Sequence, residues 1–101
     1  MQIDFANAFA RCPLVAILRG IDPAQAVGVG SVLIDAGFSL IEVPLNSPDP
    51  LSSIEKLVEI AGDRALIGGG TVIDTDAVAA LADRGARYMV SPNVDVAVIT
   101  A

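Results

Sequence analysis

The chain has 101 residues, 53% of them hydrophobic, and a net charge of −6. That length suits about one small domain, yet its apolar share exceeds the roughly 45–50% of an ordinary globular domain even before glycine is counted. The six basic residues, Arg11, Arg19, Lys56, Arg64, Arg84 and Arg87, form no cluster, which excludes a nucleic-acid interface built on a basic face.

No apolar run reaches the roughly 18 residues of a membrane span. The N-terminal stretch MQIDFANAFARC carries Asp4 and no basic region ahead of an apolar core, so it does not read as a secretory signal. Cys12 is the single cysteine; no internal disulfide can form, and a reducing cytoplasm is the expected compartment. Histidine is absent, which removes Ser–His–Asp and Cys–His catalysis and any His-ligated metal site. Neither metal nor cofactor is expected.

In chain order, the first strand is expected over PLVAIL, Pro13 to Leu18, ending at Arg19–Gly20. Asp22–Pro23 then supplies an N-cap followed by proline at the first helical position. That helix should run to about Ala36 and stop at Gly37, with Val27, Ser31 and Ile34 on one face and Gly28 and Gly30 allowing close packing against a sheet. SLIEVPL, Ser39 to Leu45, is the second strand. A helix follows from about Leu51 to Ala61, with Glu55, Lys56 and Glu59 on its outer face. ALIGGG, Ala65 to Gly70, is the third strand. Asp74 caps a helix that closes at Gly85. ARYMVSP, Ala86 to Pro92, is the fourth strand, and Asp95 caps a last helix over VAVITA.

Alternating βα units with near-continuous apolar strands imply a parallel sheet covered by helices. Two α/β architectures compete: a small open sheet, or half of a (β/α)8 TIM barrel, four βα units being half of the eight that close a barrel. The high apolar content and the uncapped last helix favour a truncated barrel, with residues 1–101 as a single partial domain.

Ligands in parallel α/β folds bind at the C-terminal ends of the strands. Those ends carry Arg19, then Glu42 with Asn46, then Gly68–Gly69–Gly70–Thr71, then Ser91–Pro92–Asn93. Glu42 is the only glutamate inside a strand. Burying even a neutral polar group without a partner costs about 2–7 kcal/mol, so this carboxylate is either paired, for instance with Arg19, or used. As a functional group it would be a general acid/base, because apolar walls raise a carboxyl pKa toward the working pH. Alternation places Leu40 and Glu42 on one face and Ile41 and Val43 on the other. Arg19 is either a surface arginine or a bidentate anion ligand. The GGGTV segment is a tight turn or a bare backbone that admits substrate, with the Thr71 hydroxyl on a substrate oxygen. Cys12 reads as an apolar filler, and Lys56, among solvated charges, lacks the setting of a Schiff-base nucleophile.

The segments PLVAILRGI, AGFSLIEVPLNSPDP, ALIGGGTV and VSPNVDVAVI resemble, in order and spacing, the 2-dehydro-3-deoxy-phosphogluconate/phosphogalactonate aldolase family from Pro13 onward. EVPLNSP is more similar to the phosphogalactonate branch, and GGG stands where the family more often has Gly-Ala-Gly. The resemblance implies a class I aldolase on a (β/α)8 barrel, usually trimeric, that cleaves a phosphorylated 2-keto-3-deoxy sugar acid to pyruvate and glyceraldehyde 3-phosphate. It further implies Glu42 as acid/base, Arg19 on the substrate, Thr71 on the pyruvate carboxylate, and Pro44 ending strand pairing where the chain opens into the site loop. The Schiff-base lysine and the phosphate-binding glycines of the family belong to later strands, so this chain resembles the N-terminal half. The alternative is a non-catalytic half-barrel that stands alone and associates through its sheet edges.

Overall fold

The computed structural model describes residues 4–101. Nine elements follow one another: α1 (Phe5–Arg11), β1 (Ala16–Ile17), α2 (Pro23–Asp35), β2 (Leu40–Pro44), α3 (Pro50–Ala61), β3 (Leu66–Gly70), α4 (Thr75–Asp83), β4 (Tyr88–Met89) and α5 (Val96–Thr100). The four strands form one parallel sheet in the order β1-β2-β3-β4. The expected α/β arrangement of four βα units is therefore present. The aspartate caps act as their positions predict: Asp22 accepts from the Gln25 N–H at 3.1 Å, Asp74 from Ala77 at 2.7 Å and Asp95 from Ala97 at 3.0 Å. Gly37 and Gly85 take φ of +105° and +88°, the left-handed conformation in which glycine ends a helix without a Cβ penalty.

Helix α1 is the element the sequence patterning does not show. Seven residues are too few for a helix to hold alone in water; docking supports this one. Asp4 caps it on the Asn7 N–H at 2.8 Å, and the buried Ser39 hydroxyl donates to the Ala8 carbonyl at 2.5 Å. Ala8 then packs with Leu40, Leu66 and Tyr88, plugging the N-terminal end of one sheet face. Cys12, expected as buried filler, is only half-buried, because it ends α1 and donates its N–H to the Ala8 carbonyl. β1 and β4 are each two residues long, shorter than their apolar runs suggest. Each has a strand on one side only, so Leu14 and Val90 stay exposed.

The main core lies on the other sheet face, where Ile41, Val43 and Ile67 meet Ile34, Ile54, Leu57 and Leu81 from the helices. The buried row of α2 is Ala26, Gly30 and Ile34, while Val27 is exposed. This differs from the expected Val27–Ser31–Ile34 face for a steric reason. A Cβ on Gly30 would collide with the Leu57 side chain and lie 3.2 Å from Ile60, so the glycine admits α3 rather than the sheet. Gly28 faces open space.

These two glycines should respond oppositely to alanine. Gly28→Ala gains roughly 0.5–1 kcal/mol from helix propensity and unfolded-state entropy. Gly30→Ala gains the same but meets the fully buried Leu57, and overpacking costs roughly 1–3 kcal/mol, for a net loss. Thermal melts of the two variants should move in opposite directions.

Candidate active site

Parallel register sets the site. Ile17 pairs with Glu42, Glu42 with Gly68, and Gly68 with Tyr88. These four residues form one row across the sheet face opposite the main core. Glu42 is only 6% exposed. Burial raises its carboxyl above the ordinary 4.5, and the positive charge of Arg19 partly offsets the rise. The alternation expected for Leu40 and Glu42 holds, since Leu40 lies on the same face against Ala8.

The glycines of β3 each make room for a neighbour. A Cβ on Gly70 would fall on the Glu42 carboxylate; one on Gly68 would meet the Tyr88 ring at 2.6 Å; one on Gly69 would meet Leu81 at 2.6 Å. The bare backbone is therefore already occupied, by Glu42 and Tyr88 on one face and Leu81 on the other, rather than standing open to a ligand.

Arg19 lies in the turn after β1. It acts on Glu42 through its charge, but the two side chains form no direct ion pair, so the structural pairing weighed for Glu42 is absent. Its placement depends on the turn behind it. Gly20, at φ +78°, donates its N–H to the buried Ser47 hydroxyl at 3.1 Å. This bond ties the loop after β1 to the loop after β2. Ser47 lies in the EVPLNSP segment, but only the folded geometry reveals the bond it makes.

Pro44 pairs with Gly70, and the next N–H, from Leu45, still donates to the Gly70 carbonyl at 2.9 Å. Pairing with β3 thus continues past the proline. Even-numbered residues of β2 face β1, as the bond from the Leu18 N–H to the Glu42 carbonyl shows. Pro44 falls on that side where β1 has already ended, so its missing N–H costs no ladder bond.

Thr71 has φ of +58°, an outlier for a β-branched residue. It lines an open cavity of about 260 Å³ with Leu45, Asn46 and Asp74. The structure thus places Arg19 near enough for its charge to act on Glu42. Thr71 follows directly on Gly70, the residue packed against the Glu42 carboxylate. Asn46 shares the cavity of Thr71; Ser91–Pro92–Asn93 follows β4. Lys56 lies elsewhere, its exposed ammonium donating to the Pro23 carbonyl at 3.4 Å. Among the described residues no group of three or more His, Cys, Asp or Glu could hold a metal ion, and no helix is long and apolar enough to cross a membrane.

The family model of KDPG and KHG aldolase matches residues 5–101. The chain belongs to this aldolase family. A relative from Rhizobium meliloti (strain 1021), named probable 2-dehydro-3-deoxy-6-phosphogalactonate aldolase, is 59% identical over 87 residues, which are 86% of this chain and 41% of that protein. The 2-dehydro-3-deoxy-6-phosphogalactonate aldolase of Escherichia coli (strain K12) is 48% identical over 89 residues, 88% of this chain and 43% of that one. A solved structure described as native KDPGal superposes with a TM-score of 0.86 at 45% identity, covering 98% of this chain and 46% of that chain. The chain spans about two fifths of the length of the curated relatives it matches. Four βα units of this family make half of a (β/α)8 barrel, and the row containing Glu42 is on the sheet face opposite the helix-covered core.

Glu42 carries a pH signature. Its folded-state pKa lies above the unfolded value, so its stabilising contribution is complete below about 4.5 and is lost as pH rises through the folded pKa. Glu42→Gln should therefore raise the melting temperature at neutral pH, with the gain fading as the pH falls below the unfolded value. A melting temperature lowered at neutral pH would show that the carboxylate is a needed structural partner.

Proposed function

We propose that this chain is the N-terminal half of a class I aldolase that cleaves 2-dehydro-3-deoxy-6-phosphogalactonate, or its gluconate epimer, to pyruvate and glyceraldehyde 3-phosphate. The observation that carries the reading is the buried Glu42, poised at the ligand end of a parallel strand within the field of Arg19, in a chain 59% and 48% identical to proteins named for that activity. A carboxyl held above its ordinary pKa is better matched to accepting and returning protons than a free one.

On this reading an amine from a later strand forms the Schiff base with the substrate ketone. Glu42 gives a proton to the departing water during carbinolamine dehydration. It then takes the proton of the adjacent hydroxyl as the carbon–carbon bond breaks and its electrons move into the iminium. Arg19 holds an anionic group of the substrate, and the Thr71 hydroxyl binds the pyruvate carboxylate. The strain at Thr71 supports this role, since positive-φ residues of this kind cluster where a site over-determines the backbone. Lys56 is not the amine, being exposed and tied to α2. The assembled enzyme would be a cytoplasmic homotrimer working without a cofactor.

A chimera tests the reading. Residues 5–101 replace the matching stretch of the Escherichia coli relative, and pyruvate release from 2-dehydro-3-deoxy-6-phosphogalactonate is followed. The chimera should turn over, and Glu42→Gln within it should slow turnover by about 10²–10⁴-fold without lowering the melting temperature. A folded chimera that releases no pyruvate, or near-normal turnover in Glu42→Gln, sinks the assignment. In parallel, the 101-residue chain treated with pyruvate and borohydride should gain no stoichiometric pyruvyl adduct. An adduct on Lys56 would contradict the exclusion of that residue.

A further inference from the structure

Among the described residues the sheet ends in two unpaired edges, β1 and β4. In β1 the Leu18 N–H donates to the Glu42 carbonyl, so alternation turns the N–H and C=O of Ile17 to the free side. In β4 Val90 uses both backbone groups on the β3 side. Its N–H donates to the Gly69 carbonyl at 2.9 Å, and its carbonyl accepts from the Val72 N–H at 3.0 Å. The backbone groups of Met89 therefore point outward. An open edge of this kind is a template for another strand.

Apolar surface stays exposed beside each edge. On α2, Gly30 marks the side that meets α3. Gly28 and Val32, two residues to either side of it, stand roughly opposite on the helix and face away from α3. Val32 is 68% exposed, and a Cβ on Gly28 would meet nothing. Gly28, Val29, Val32 and Leu33 line an open groove of about 530 Å³. Beyond Gln25 and Val29 it continues into a hollow against Ile17, Leu18 and Ile21 at the β1 edge. At the other edge, Val94 leads into α5, which presents Val96 and Ile99; these three are 84%, 75% and 68% exposed.

A right-handed crossover lays the helix after a strand over the step to the next strand. α2, α3 and α4 each have that next strand; α5 has only open space beyond β4. What α5 lacks is a strand edge followed by an apolar helix face, and β1 with α2 is such a unit. What α2 lacks on its outer side is a helix that follows an edge strand, and α5 is that helix. Each edge offers what the other is missing. Four βα units are half of the eight that close a barrel, so the match can be made by a second copy.

We infer that, without later βα units, two copies of this chain close into one eight-stranded barrel, β4 and α5 of each docking on the β1 edge and α2 groove of the other. The two seams are equivalent by a two-fold axis. Closure after two copies leaves no edge for further growth. The inference rests on the half-barrel fold and not on the reaction, so its failure would leave the aldolase assignment standing, and failure of the chimera would leave the dimer standing.

Sedimentation equilibrium of the 101-residue chain should give twice the 10.3 kDa of one copy at every concentration above the dissociation constant. Val32→Asp and Ile99→Asp each place a charge on one of the two docking surfaces, at a side chain exposed in the single copy. Burying it unpaired should weaken the dimer by about a hundredfold or more, with the circular dichroism of the folded chain retained. Mixing the two variants should restore a dimer, because one seam is then unaltered and the other carries both substitutions. A symmetric contact between two α2 faces predicts the reverse: Ile99→Asp stays dimeric, and mixing recovers nothing. In the unsubstituted chain the amides of Ile17 and Met89 should exchange as slowly as those of Leu18 and Val90, which are already paired. A monomer, a mass that rises without limit, a mixture that stays monomeric, or fast exchange at Ile17 and Met89 overturns the inference.

Discussion

The register that aligns Ile17, Glu42, Gly68 and Tyr88 in a single row governs most of what this chain does. Side chains alternate across a strand, so a slip of one residue in β2 would send Glu42 into the helix layer and Ile41 and Val43 out of it. The helix layer resists that slip. Ile41, Val43, Ile54 and Leu57 are each completely buried there, and a carboxylate among them would have no partner. The hydrophobic core on one face thereby fixes the position of the charge on the other. The apolar core and the one strand carboxylate are divided between the two faces of one sheet, and the register couples them.

Three consecutive glycines in a buried strand are costly, since glycine in a strand interior loses roughly 0.5–1 kcal/mol relative to alanine. In β3 each is matched by a side chain from elsewhere that fills its space: Tyr88 at Gly68, Leu81 at Gly69, Glu42 at Gly70. The strand supplies backbone pairing to both neighbours and lends its side-chain volume to them. The arrangement lets the Glu42 carboxylate lie over Gly70 of β3. It also brings the backbone to Thr71, whose positive φ turns the chain away from the sheet at once. Beyond that turn the Val72 N–H rejoins the ladder by donating to the Val90 carbonyl at 3.0 Å.

The layout of strands and helices was legible in the sequence because its signals are local. Apolar runs, Asp22–Pro23, Asp74, Asp95 and the glycines at 37 and 85 each act on their own few residues. Glu42 was legible for a similar reason: a lone carboxylate in an apolar run is conspicuous without any structure. What escaped depends on contacts between distant residues. Helix α1 exists through Ser39, thirty-one positions away. The inward row of α2 is decided by Leu57 on another helix. Ser47 matters only because Gly20 comes to it. Tyr88 looks like one more strand aromatic until the register sets it beside Gly68 and opposite Glu42.

Arg19 shows how far a charge can be useful without contact. A direct ion pair with Glu42 would hold the carboxyl low and make it a poor acid/base near neutrality. Burial alone would lift it and leave the ionised form without support. The charge of Arg19 offsets part of the rise that burial causes, and its guanidinium forms no ion pair with Glu42. The bond between the Gly20 N–H and the Ser47 hydroxyl therefore has a larger consequence than its own modest energy. It ties the turn that follows Arg19 to the loop that follows β2.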